Sequence, residues 1–160
     1  MTNLVKLLCL VLIVVHFIGM DASAYASGNR TKKSSSLYPV QVKAGWNMLS
    51  VPVNVADGRK GVLYPTSSSQ AYRYDHGYIP TDSLACGTGF WLKFSSTQTI
   101  FIDGDSVPER LIDVRKGWNM IGSISVPVAV NMIISEPSNI VSGQCYGYVP
   151  GGGYLQADTI

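Results

Sequence analysis

Phe90, Leu92 and Phe94 recur at every second residue, interleaved with Trp91 and Lys93. A period of two marks a strand with one face buried. Strands are also predicted over Tyr38 to Lys43 and Trp46 to Val53, joined by the tight Ala44-Gly45. Ala71 to Tyr74 and Tyr78 to Thr81 read as a hairpin around Asp75-His76-Gly77. Thr99 to Ile102 forms a last strand, with Asp103-Gly104-Asp105 expected as its turn. Beyond the N-terminal region, no stretch sustains a helical apolar period over three turns. The expected fold is all-β, a sandwich or partly open barrel of short strands.

The N-terminus follows another pattern. Lys6 precedes a run from Leu7 to Ile18 that is apolar except at His16, and the small residues Ala22-Ser23-Ala24 follow. That order is that of a secretory signal peptide, and the run is shorter than the roughly 20 residues of a membrane span. Residues 1–24 are therefore expected to be a cleaved leader, which places the product on the cell surface or in the medium, with no membrane attachment after cleavage. Residues 25–37, rich in Ser and Lys, are expected to be a flexible polar tether.

Self-comparison changes the picture most. Val42-Lys43-Ala44-Gly45-Trp46-Asn47-Met48-Leu49-Ser50 recurs as Val114-Arg115-Lys116-Gly117-Trp118-Asn119-Met120-Ile121-Gly122, 72 positions on, and Pro52 is answered by Pro127 after a short insertion. Ala71-Tyr72-Arg73-Tyr74 is answered by Gln144-Cys145-Tyr146-Gly147-Tyr148, and Tyr78 by Tyr154. Blocks matched in the same order imply two tandem copies of one module, at 38–110 and 111–160. Gly45, Trp46, Asn47, Pro52, Gly117, Trp118, Asn119 and Pro127 are its repeated framework. In the first copy the next block is Gly87-Thr88-Gly89-Phe90-Trp91-Leu92-Lys93; in the second the sequence stops just before it, so the second copy is expected to be incomplete and the sequence a fragment. A missing strand would leave an apolar face and a row of backbone groups uncovered.

The order Gly-Trp-Asn-Met-Leu-Ser-x-Pro, then Tyr-x-Tyr-Asp-x-Gly-Tyr, then Gly-x-Gly-Phe-Trp-Leu-Lys resembles a tandem β-module of secreted and cell-surface proteins in Gram-negative bacteria that use type IX secretion. The resemblance runs from about Val40 to the end. It implies a bacterial, exported protein and a modular β architecture, and says little of chemistry. Where that family usually carries an acidic residue and Pro before its Gly-x-Gly turn, this chain has Ala85-Cys86.

Charge adds mainly exclusions. The formal net charge is +2, and the basic residues are scattered, with only short pairs such as Lys32-Lys33 and Arg115-Lys116. A nucleic-acid footprint would be a concentrated stripe. His16 falls within the leader, leaving His76 as the single histidine, set in a hairpin turn. One histidine does not make a two-histidine metal site, and carboxylates such as Asp75, Asp103 and Asp105 stand where Asp ordinarily forms turns. No catalytic, cofactor or metal site is expected, and the chain is read as not an enzyme.

Cys86 and Cys145 would be the only cysteines of the processed chain, a candidate disulfide if their α-carbons come within ~7 Å. Trp46 and Trp118, repeated inside a strand motif, are assigned to the core. Trp91, out of phase with Phe90 and Leu92, is the better candidate for an exposed ring, with Tyr78 and Tyr154 as further ligand-facing aromatics. These residues frame two functions: a non-catalytic structural or interaction module, whose partners are other domains or proteins at the cell surface, or a carbohydrate-binding module contacting glycans through exposed rings. A hydrolase-associated domain is a third, lesser alternative.

Overall fold

The computed structural model describes residues 3–8 and 36–160. In chain order the strands are β1 (Asn3–Leu8), β2 (Ser36–Val42), β3 (Gly45–Ser50), β4 (Val53–Asn54), β5 (Ala71–Tyr74), β6 (Tyr78–Thr81), β7 (Gly89–Phe94) and β8 (Gln98–Ser106). They continue with β9 (Glu109–Val114), β10 (Ile133–Glu136), β11 (Tyr146–Val149) and β12 (Gly153–Gln156). A single helical turn, Lys60–Leu63, follows β4, and a 3-10 turn, Val130–Met132, precedes β10. The expected all-β class holds, in a sandwich-like form of antiparallel sheets with no barrel closure.

Two open sheets make up the first repeat, in the orders β2-β8-β4 and β3-β7-β5-β6. Between them lies the core: Val42, Val53 and Ile102 from one sheet meet Phe90, Leu92, Phe94 and Ala71 from the other, with Val51, Leu63 and Leu84 from the connections. Tyr64 stands in the middle, wholly buried, its hydroxyl donating to the Ser50 carbonyl at 3.0 Å and its ring edge-on to Phe90 and Phe94. A buried phenol needs that acceptor, because an unpaired hydroxyl in an apolar core costs about 1–3 kcal/mol. Phe90, Leu92 and Phe94 face inward while Lys93 is exposed, as their alternation predicts.

The repeated Gly-Trp-Asn has a local cause. Gly45 takes φ +98° and Gly117 φ +99°, a left-handed region that favours glycine. The Lys43 amide donates to Asn47 Oδ1 (2.9 Å), and Asn47 Nδ2 donates to the carbonyls of Lys43 (2.8 Å) and Gly45 (3.0 Å). At Asn119 the same three bonds run from the Arg115 amide (2.9 Å) and to the carbonyls of Arg115 (2.8 Å) and Gly117 (2.9 Å). The glycine turns the chain and the asparagine plugs the turn.

That plug corrects the expectation for the tryptophans. Asn47 points inward and is buried, so its neighbour Trp46 must point outward and is 39% exposed; Trp118, at the equivalent place, is 73% exposed. Neither ring is in the core. Pro52 is half-buried and Pro127 exposed. A second correction concerns Asp103-Gly104-Asp105, which continues β8 instead of turning. Gly104 makes this feasible, since a Cβ there would lie 2.6 Å from the Asn54 carbonyl oxygen of the neighbouring β4.

The second repeat is built differently. β9 pairs with β1, which pairs on its other side with β10, while β11 and β12 form a separate hairpin. A small cluster of Cys86, Ile124 and Val128, with Val107 and Ile133 packed against it, joins it to the first repeat. Only Asn3–Leu8 of the expected leader falls among the described residues, and its backbone is a strand. Of the expected tether, 25–35 lies outside the described residues, whereas Ser36 and Leu37 already belong to β2.

Candidate functional site

The outer face of the β3-β7-β5-β6 sheet is aromatic because every inward apolar residue leaves an outward neighbour. Trp91 is opposite Met48 on one side and Tyr72 on the other, and Tyr74 is opposite Tyr78 across the hairpin. Onto this face the β11/β12 hairpin brings Tyr148 and Tyr154, directly opposed in register. Tyr148 meets Trp91 at 4.6 Å between centroids and Tyr154 meets it at 6.2 Å, with 5.6 Å between the two tyrosines. All three expected ligand-facing aromatics, Trp91, Tyr78 and Tyr154, are thus brought to one cluster. Tyr78 and Tyr154 are 57% and 56% exposed, whereas Trp91 is half-buried under the hairpin. The hydrogen bond with Tyr78, and then burial, push the Tyr154 phenol up to about 12.

Ring geometry decides what such a cluster can do. Trp46 packs on Tyr72 at 6.0 Å and 63°, and Trp118 on Tyr146 at 6.0 Å and 60°. Tyr74 and Tyr78 meet at 5.6 Å and 70°, and Tyr148 and Tyr154 at 5.6 Å and 71°. Equivalent pairs in the two repeats therefore adopt the same edge-to-face form, which is worth about 0.5–1.5 kcal/mol per pair beyond burial. Rings crossed at such angles interlock and do not form one flat sugar-stacking row.

Below the cluster the repeats are sewn together by polar contacts. Ser50 and Ser123 hydroxyls are 2.7 Å apart, and Ser125 Oγ donates to the Pro52 carbonyl (2.8 Å) while accepting from the Val107 amide (2.7 Å). The Gly89 amide donates to the Met120 carbonyl and the Gly122 amide to the Gly87 carbonyl, both at 3.0 Å. Close approach requires the glycines: a Cβ at Gly89 would lie 2.8 Å from the Ile121 oxygen, and one at Gly122 2.7 Å from Ser50 Cβ. An open cleft of about 400 Å³ runs between the Gln41–Lys43 edge, Met48, the start of β8 at Thr97–Thr99 and the end of β11 at Tyr148–Pro150.

The histidine hairpin holds an ion cluster. Asp75 accepts from Arg73 (3.1 Å), from Arg115 of the second repeat (2.7 Å) and from His76 Nδ1 (3.1 Å). The bond with His76, then that with Arg73 and the charge of Arg115, hold its carboxyl below the usual carboxylate range. His76 itself sits at φ +58° with an exposed side chain. Such a cluster orients a turn and ties it to the second repeat.

Cys86 and Cys145 are free thiols. Cys86 is packed with Ile124 and Val128, whereas Cys145 lies at the open end of the β11/β12 hairpin, its carbonyl accepting from the Ala157 amide; burial raises both thiols. Among the described residues no group of three His, Cys, Asp or Glu side chains is arranged to hold a metal ion. No helix there is long and apolar enough to cross a membrane. Tyr148, Arg115 and the Gly89–Gly122 seam were not singled out from sequence; the pairing of Tyr148 with Tyr74 in the repeat was the signal available for the first. Comparison with family models, curated proteins and solved structures finds no match to this chain.

Proposed function

We propose that this chain is a non-catalytic structural or interaction module of an exported bacterial protein, on the cell surface or secreted, carrying two copies of one β-module. The observation that carries it is the interlocked aromatic cluster between the repeats, whose inner rings fasten the two together and whose outer residues Tyr78 and Tyr154 remain open to a partner. Exposed apolar residues gathered at one place mark contact surfaces. The resemblance to type IX-associated modules supports the exported setting. Other surface domains or proteins are the partners this reading names; nucleic acid and cofactors have no place in it.

Glycan binding is the second reading, favoured by Trp118, whose ring is 73% exposed beside Tyr146. The crossed ring planes weigh against a broad platform but leave a single stacking site at Trp118. One experiment separates the classes: the protein is screened against polysaccharide and ester substrates and for retention on insoluble polysaccharides, with Asp75→Ala, His76→Ala and Trp118→Ala alongside. The interaction reading predicts neither turnover nor retention. Retention lost in Trp118→Ala would establish glycan binding, and turnover lost in the Asp75 or His76 variant, with circular dichroism unchanged, would overturn the non-catalytic reading.

A further inference from the structure

The strand beside β9 points to a binding function that goes beyond this reading and does not depend on export. In the first repeat, β2 pairs antiparallel with β8, matching Val42 to Gln98, Val40 to Ile100 and Tyr38 to Ile102. β9 is the sequence counterpart of β2, since Val114 answers Val42 in the repeat. Its neighbour is β1, matching Val114 to Asn3, Ile112 to Val5 and Arg110 to Leu7. Asn3, Val5 and Leu7 thus stand at the register positions that Gln98, Ile100 and Ile102 occupy in the first repeat. Both segments read amide, any residue, aliphatic, any residue, aliphatic.

β1 is also flanked on its other side, where β10 pairs Ser135 to Val5 and Ile133 to Leu7. A strand seated there makes ladder bonds to two neighbours, and its loss leaves two facing edges unpaired. Both walls are anchored independently of β1. Arg110 and Ile112 of β9 lie against the Gly87 turn, with side-chain carbons 3.2 and 3.3 Å from where a Cβ on Gly87 would be. Ile133 of β10 packs on the Cys86–Ile124–Val128 cluster.

We propose that the gap between β9 and β10 is a strand-accepting site, which binds an extended peptide segment of a partner protein, antiparallel to β9, carrying an amide residue followed by aliphatic residues at the second and fourth positions beyond it. Main-chain bonds supply the affinity of such β-augmentation and the alternate side chains its selectivity. Any event that withdraws Asn3–Leu8, leader removal included, opens the site.

The test uses the full 160-residue chain, unaltered and as Val5→Pro, because proline in a central strand removes a ladder donor. Amide exchange is followed at Glu109–Val114 and Ile133–Glu136, with a synthetic peptide copying Gln98–Ser106 as probe. Expected is a loss of protection of at least about tenfold in Val5→Pro, restored by the peptide but not by a scrambled peptide or one with Asp at both aliphatic positions. In the unaltered chain, excess peptide should speed exchange at Asn3–Leu8 while Glu109–Val114 stays protected, a readout that stands even if the variant fails to fold. Undiminished protection in a folded Val5→Pro, equal rescue by the scrambled peptide, or no displacement in the unaltered chain would overturn the proposal. Protection in Val5→Pro that rises with protein concentration, with a dimer in solution, would assign the gap to a second copy and overturn it as well.

Discussion

Asn47 and Asn119 make the same three hydrogen bonds in different surroundings, so replacing each with alanine separates hydrogen bonding from burial. Asn47 is 5% exposed and its bonds hold the turn from β2 into β3 beside the core, whereas Asn119 is exposed. A net contribution of about 1 kcal/mol per bond gives about 3 kcal/mol for Asn47→Ala. At Asn119, water replaces the lost partners and the cost falls below about 1 kcal/mol. For a chain of this size the first loss lowers the melting temperature by about 6–12 °C and the second by no more than about 4 °C. The assay is urea unfolding followed by tryptophan fluorescence, with thermal melts by circular dichroism. Equal losses in the two variants, or a cost below about 1 kcal/mol at Asn47, would refute the argument that the buried plug, and not the Gly-Trp-Asn sequence as such, stabilises the turn.

Three further outcomes follow from the seam between the repeats. Gly122→Ala places a methyl 2.7 Å from Ser50 Cβ and is expected to cost about 1–3 kcal/mol by overpacking, measured as a lower denaturant midpoint, while Gly61→Ala, with open space around it, costs less. Because the folded state holds the Asp75 carboxyl below its unfolded value of about 3.9, its contribution is fully present above that value and is lost as pH falls through the folded one; Asp75→Asn should therefore flatten the acid limb of the stability profile, and an unchanged limb would discount the cluster with Arg73 and Arg115. Ultraviolet titration should show one tyrosine ionising near 12 that moves down in Tyr78→Phe, and no change in that variant would remove the Tyr78–Tyr154 bond from the description.

Sequence was most legible where burial alone decides orientation. Phe90, Leu92 and Phe94 alternate cleanly because both sheets press on them, and Trp91 is displaced to the outer face as a consequence. Trp46 lies outside the core because the satisfied Asn47 amide holds the inward position and the ring beside it has only the outer face left, whereas Trp118 sits beside an Asn119 that is itself exposed, so hydrophobicity alone places neither ring. Gly104 reads as a turn residue until its second use is considered, letting β8 lie close against β4. The aromatic cluster was legible as Trp91, Tyr78 and Tyr154 but not as a joint between repeats, because the docking of the β11/β12 hairpin depends on contacts far apart in sequence. The strand made by Asn3–Leu8 is hidden for a related reason, since it shares only Leu7 and Leu8 with the apolar run that reads as a leader and its partners β9 and β10 lie far along the chain.

An exported, non-catalytic interaction module is tested most directly by where the protein is found and how it begins. Cells producing the 160-residue chain are fractionated, and the recovered protein is sequenced from its N-terminus and weighed by intact-mass spectrometry. Export predicts a product that starts at Tyr25, recovered outside the inner membrane. A chain retaining Met1, or lacking only that residue, and confined to the cytoplasm would contradict it.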